Sequence, residues 1–149
     1  MPDSGRSRVL ALDLGARRIG LALSDELGIT AQGIPTLERK NLRSDLDVLD
    51  RLIHAHGVRL VLVGNPLRLS GAESAGSRQA AKFSEQLHRR TGVEVRLWDE
   101  RLTTREASRV LRESGISQAK RARAVDRLSA VLLLESFLDH ENGGSGIQL

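Results

Sequence analysis

Four acidic residues stand where the surrounding pattern calls for apolar side chains: Asp13, Asp99, Glu100 and Asp126. Asp13 ends the run Val9-Leu-Ala-Leu12, which reads as a buried strand. Asp99 and Glu100 follow directly on the strand pattern Val93–Trp98. Asp126 lies in a long helical pattern, with Ala122, Ala130, Leu133 and Phe137 within about 40° of it on a 3.6-residue helix. An ionised carboxylate in such surroundings is costly unless it meets an Arg or a metal ion. Carboxylates are hard oxygen donors and select Mg2+ or Mn2+. Two such ions, about 3.5–4 Å apart, can clamp the attacking water and the leaving oxygen of a phosphodiester. Each acid also has a plainer reading: Asp13 closing a turn, Asp99 and Glu100 as a solvated strand end, Asp126 as half of a buried salt bridge. Alternation does not choose between Asp99 and Glu100, because their strand is read as central, parallel and buried on both faces.

The elements that must position these acids follow in order. Val9–Leu12 and Ile19–Leu23 form a hairpin around the Gly15 turn, with Arg17 and Arg18 at the turn. Ile29–Arg39 reads as a third strand, placed at an edge by Pro35. Asn41–His56 carries Leu42, Leu46, Leu49, Leu52 and Ile53 at helical spacing and stops at Gly57. Arg59–Val63 is a continuous apolar strand, central and parallel. A turn-rich loop, Gly64–Gly76, leads to a helix over Ser77–Thr91, with Ala80, Ala81, Ser84, Leu87 and His88 on one side. After the fifth strand, Thr103-Thr-Arg-Glu106 is a capping-box pattern opening a helix to Ser114. A final helix spans Gln118–Asp139. The order β-β-β-α-β-α-β-α-α predicts a mixed α/β sheet with helices packed on it. Residues 1–140 form one domain and 141–149 a flexible tail.

Composition narrows the chemistry. The 149 residues contain no cysteine, which excludes disulfides, thiolate zinc sites and a Cys nucleophile. The polar N-terminus lacks a signal-peptide core and no apolar run reaches the ~20 residues of a membrane span, so a soluble cytoplasmic protein is expected. The net charge of +4 is carried by 20 Arg and 3 Lys. Arg suits bidentate phosphate contacts, so a polyanionic partner fits, although a bias toward Arg would load any surface this way. Phe83, Trp98 and Phe137 are the only aromatics, too few for a base-stacking platform. Trp98 reads as core packing. His54 and His56 read as caps at a helix end rather than metal ligands. The spacing Gly15-Ala-Arg-Arg-Ile-Gly20 lacks the Lys-Ser/Thr of a phosphate-binding P-loop, and no serine has a nucleophile-elbow setting.

DLGARRIGLALSD, the loop GNPLRLSG, VEVRLWDERLTTREA and AVDRLSAVLLLESFL together resemble the YqgF-type family of the ribonuclease H-like superfamily. Its members are known as candidate pre-16S rRNA nucleases and formerly as candidate Holliday junction resolvases. The resemblance spans about Val9 to Leu138, with the motifs in the family's order. It implies a ribonuclease H-like mixed five-stranded sheet with helices on both faces. It also implies a Mg2+- or Mn2+-dependent nuclease, with two ions held by Asp13, Glu100 and Asp126. Phosphate contacts are expected from Arg17, Arg18, Arg68, Lys120, Arg121 and Arg123. Asn65 and Ser70 depart from the family, where many relatives carry Leu and Asp or Asn.

The expected partner is RNA, most simply the precursor of 16S rRNA, with branched DNA as the alternative. A two-fold junction substrate would favour a homodimer. Endo- versus exonuclease action and sequence preference are left open. Two other classes compete. A sugar-kinase or actin-type ATPase shares a DxGxxxxG hairpin but needs two such domains. A non-catalytic ribosome-assembly factor would keep the fold without an acid-dependent metal site.

Overall fold

A computed structural model describes residues 7–66, 70–99 and 118–142, with side-chain surroundings from 127 onward in the last of these segments. Five strands form one sheet: β1 Arg8–Leu14, β2 Arg18–Ser24, β3 Ala31–Glu38, β4 Val58–Asn65 and β5 Glu94–Asp99. Their spatial order is β3-β2-β1-β4-β5. The first three strands are antiparallel neighbours, whereas β1–β4 and β4–β5 pair in parallel. Three helices are described: α1 Leu42–His56, α2 Ala75–Thr91 and α3 Gln118–Asn142. The expected helix over Thr103–Ser114 lies outside the described residues.

Alternation sorts the core into two layers. Leu10 and Leu12 of β1 pack with Val61 and Val63 of β4 against Leu46, Leu49 and Ile53 of α1 and Ala80, Phe83 and Leu87 of α2. On the other face, Val9 and Ala11 of β1 and Leu60 and Leu62 of β4 meet Ala130, Leu133, Leu134, Phe137 and Leu138 of α3. The apolar run of β1 is unbroken because helices cover both of its faces. At the start of that strand, the buried Ser24 hydroxyl accepts the Val9 N–H at 2.8 Å.

Local chemistry sets the element ends. Asn41 caps α1, its side chain accepting the Ser44 N–H, and Gly57 closes the helix in the left-handed region at φ 63°. Ser74 and Ser77 bond reciprocally to cap α2, which therefore begins two residues before the expected Ser77. The buried stripe of α2 is Ser77, Ala80, Phe83, Ser84 and Leu87, so Ala81 and His88 are outward, contrary to expectation. Leu42 is likewise 41% exposed at the first turn of α1, beyond the edge of the sheet. His54 is bonded within its own helix to the Asp50 carbonyl, as a helix-end histidine should be. Between β2 and β3, Asp25 accepts the Ile29 N–H at 2.8 Å, a bond that leads in holding its carboxyl below the usual carboxylate range.

Pro35 does sit on an edge strand, beside a register shift where β3 passes Gly20 of β2. Glu141 and Asn142, expected in the tail, are helical. Glu141 pairs with Arg59 at 3.1 Å, and the Asn142 amide donates to the Gly28 carbonyl. The strand over Val93–Trp98 was expected to be central, yet β5 is an edge strand with Leu97 38% exposed. Its parallel pairing to β4 leaves the opposite edge without a described strand.

Burial predicts how unequally these apolar residues contribute. Phe137→Ala, at 2% exposure between α3 and the sheet, should cost about 3–5 kcal/mol in urea unfolding. Leu97→Ala on the exposed edge should cost under about 1 kcal/mol. A Cβ at Gly15 would fall 2.7 Å from the Arg18 carbonyl oxygen, so Gly15→Ala should destabilise by about 1–3 kcal/mol despite the half-exposed position.

Candidate nuclease site

Asp13 occupies the penultimate position of β1, the middle strand of the sheet, and is half-buried. It alternates in phase with Val9 and Ala11, so its side of the strand is the face covered by α3. Directly opposite it on β2 is Gly20. On the other side, Leu12 pairs with Val63, and continuing that register by one residue brings Gly64 alongside. Neither flanking residue has a side chain, so a carboxylate ends up in a notch one strand wide on each side. Gly64 in turn pairs with Trp98 of β5. A single row across the sheet therefore reads Gly20, Asp13, Gly64, Trp98. The two glycines were missed as site residues in the sequence. Their signal was present, because glycine inside an apolar strand marks a place where something approaches the backbone closely.

Trp98 fixes the faces of β5. Its ring meets Phe137 edge-on, with centroids 5.1 Å apart, and its indole N–H donates to the Ser136 hydroxyl at 3.2 Å. Trp98 thus packs on α3, the core role expected of it. Asp99, the next residue, alternates to the α1/α2 side and is exposed. Its register partner there is Asn65, whose Oδ1 is buried with no hydrogen-bond partner among the described residues. β5 is an edge strand whose faces are assigned by Trp98, contrary to the expectation of a strand buried on both sides. Glu100 itself lies outside the described residues, as does Arg68.

Asp126 belongs to α3, one turn before the buried Ala130 and on the same helical stripe as Ala130, Leu133 and Phe137. This helix packs on β1, β2 and β3. The close approach to β3 depends on Gly33, where an added Cβ would fall 2.6 Å from the Arg127 side chain. The backbone of Lys120, Arg121 and Arg123 is in the first turns of the same helix, and their side chains, like that of Asp126, lie outside the described residues. Among the described residues no three acidic or imidazole groups gather, and two of the three expected ligands are not among those residues. The part that is described suits a hard cation: a carboxylate oxygen donor, on the α3 face, with glycine on both sides.

The turn beside Asp13 is stapled from a distance. The Arg39 guanidinium donates to the Gly15 carbonyl at 2.8 Å, and the Arg39 backbone N–H donates to the Arg17 carbonyl at 2.8 Å. Asp45, whose side chain is 3% exposed, lies 3.6 Å from the same guanidinium. This arrangement holds Arg17 exposed at the hairpin tip and Arg18 half-buried at the start of β2. Both are at the sheet edge that carries Asp13. Arg39 escaped notice in the sequence because its partners are 24 and 22 residues away and are backbone carbonyls.

Comparisons with known proteins agree with this architecture. The model of the RuvX family, described as Holliday junction resolvase, matches residues 7–140. A protein of Koribacter versatilis (strain Ellin345), named "Putative pre-16S rRNA nuclease", is 54% identical over 138 residues, covering 93% of this chain and 90% of the relative. A protein of the same name from Syntrophus aciditrophicus (strain SB) is 44% identical over 132 residues, covering 89% and 88%. Among solved structures, Thermus thermophilus RuvC in complex with a Holliday junction substrate superposes with a TM-score of 0.57 at 16% identity, covering 91% of this chain and 96% of that one. The fowlpox virus resolvase bound to Holliday junction DNA gives 0.56 at 10% identity, covering 91% and 99%. These two likenesses establish the ribonuclease H-like fold. With the family model spanning nearly the whole chain, the protein belongs to the RuvX family, the YqgF-type group that its four motifs resemble.

Proposed function

We propose that this chain is a divalent-metal-dependent nuclease that hydrolyses phosphodiester bonds in structured nucleic acid, with precursor 16S rRNA as its substrate and the cytoplasm as its place of action. The observation that carries the reading is Asp13, set on the α3 face of the middle strand between Gly20 and Gly64. The names of the relatives from Koribacter and Syntrophus support the nuclease class and the rRNA substrate. No helix among the described residues is long and apolar enough to cross a membrane, which is compatible with that location.

In this reading Asp13, Glu100 and Asp126 hold Mg2+ or Mn2+, with two ions as the expected complement. The resemblance favours Glu100 as the second acid, and Asp99 alternates to the face of β5 opposite Trp98. When bound, the ions supply Lewis acidity at phosphorus and acidify water. The chain's own part is positional. The glycines beside Asp13 leave room for a phosphate to approach the sheet edge. Arg17 and Arg18, held by the Arg39 staple, meet the sugar-phosphate backbone from the hairpin side. Lys120, Arg121 and Arg123 would do so from the start of α3, and Arg68 from the β4–α2 loop. The likeness to junction resolvases gives branched DNA as the second substrate to test, and a two-fold junction would require a homodimer.

The test is cleavage of end-labelled precursor 16S rRNA and of a four-way DNA junction, each with Mg2+, by one preparation of the protein. Cleavage of the RNA is expected. Asp13→Asn and Glu100→Gln should each reduce it at least about 1000-fold, whereas Asp99→Asn should retain it. Asp13→Asn should leave the fold intact, with stability within about 1 kcal/mol of the unmodified protein, because Asn keeps the shape of a half-buried side chain. Cleavage of the junction alone would transfer the assignment to DNA. Undiminished activity in nuclease-free Asp13→Asn protein would remove Asp13 from the site, and no cleavage of either substrate would favour a non-catalytic assembly factor.

A further inference from the structure

A cleft of about 690 Å3 opens on the α1/α2 side of the same sheet edge. It runs between the β1–β2 turn, the start of α1 and the first half of α2. Its wall includes Gly15 and Gly64, which also bracket Asp13 along β1 and across to β4. The cleft and the acid notch are therefore two sides of one rim. Leu14 and the 41% exposed Leu42 give the lining its apolar surface above the buried Ala80 and Phe83, and Lys40 and Lys82 also line the cleft. Arg39, also in the wall, is committed to Asp45 and to the Gly15 carbonyl. Lys40 and Lys82 show no carboxylate partner among the described residues, and both are exposed.

The choice of cation is informative. Only three of the chain's 23 basic residues are lysines, and two of the three line this cleft. Lysine presents a compact, flexible point charge, where arginine presents a rigid fork that binds carboxylates and phosphates in one plane. Two point charges beside an apolar surface suit a ligand that has a phosphate to neutralise and a flat face to cover. A cleft of this size accommodates one nucleotide unit and little more.

We infer that this cleft receives a nucleotide of the substrate strand adjacent to the cleaved bond, its phosphate between Lys40 and Lys82 and its base against Leu14 and Leu42. The inference rests on the nuclease reading for the identity of the strand. It adds a second contact surface, on the opposite side of the sheet from α3 and separate from Arg17, Arg18 and the basic start of α3. A strand bound across both surfaces would be bent over the rim at Gly15, next to Asp13.

The experiment measures the affinity of a 12-nucleotide single-stranded RNA for Asp13→Asn protein as a function of salt. The comparison is with the same protein carrying Lys40→Gln and Lys82→Gln. Each phosphate contact on a single strand contributes about 0.7 to the slope of log affinity against log salt. The pair of substitutions, which strips the cations from one phosphate, should therefore lower the slope by about 0.7 and weaken binding about fivefold at about 0.1 M salt. Lys40→Arg with Lys82→Arg should preserve the slope. Arg8→Gln with Arg59→Gln removes the same charge at the far end of β1 and β4 and should change the slope by far less. An unchanged slope in the lysine pair, or an equal fall in the far-end pair, would overturn the inference. Persistent cleavage by the Asp13→Asn protein would instead count against the nuclease reading, and the slope comparison would still report on the cleft.

Discussion

A carboxylate on the middle strand of a helix-covered sheet is the constraint around which this fold is arranged. The strand that bears it is buried from Val9 to Leu12, with helices on both sides. Apolar burial at about 25 cal/mol per Å2 drives that arrangement, and a charge at its end opposes it unless it is paired. The surroundings lessen the conflict by placing Asp13 at the rim rather than in the centre. They also place a glycine, Gly20, directly opposite the acid on β2.

The rim is rigid because distant parts of the chain are tied to it. Arg39, at the end of β3, bonds two carbonyls of the β1–β2 turn and is itself held by a buried Asp45 at the start of α1. Asp45 in turn accepts the Lys40 N–H at 3.1 Å. The pair of buried Asp45 and partly exposed Arg39 thus couples the hairpin tip, the edge strand and the first helix. Removing Arg39 would leave the Asp45 carboxylate buried without its ion-pair partner, which costs more than the pair itself contributes. The same staple positions the basic hairpin tip on one side of Asp13 and one wall of the lysine cleft on the other.

Much of this was legible in the sequence, and the failures have physical causes. The strand and helix order, the edge position announced by Pro35, and the stop at Gly57 follow from local chemistry that tertiary contacts did not override. Asp13 stood out because one charge interrupts an apolar run. By contrast, β5 was misplaced at the centre because an edge strand that packs Val95 on the α1/α2 core and Trp98 on the α3 core has apolar residues on both faces, as a central strand does. The packing of Trp98 on Phe137 assigns those faces and puts Asp99 on the α1/α2 side. The stripe of α2 was misjudged for a related reason: Phe83 and Ala81 are two positions apart, and the sheet beneath the helix selects the larger. The Arg39 staple and the lysine cleft depend on contacts between residues far apart in the chain, which no local pattern reports.

The central claim is that Asp13 on β1 and Asp126 on α3 act on one and the same ion. It is tested most directly by calorimetric Mn2+ titration of the unmodified protein, Asp13→Asn, Asp126→Asn and the double variant. The account predicts saturable binding in the unmodified protein, weakened by similar factors in each single variant. It further predicts that the double variant is no weaker than either single one, because both carboxylates belong to one site. Independent, additive losses, or full binding in Asp126→Asn, would contradict it.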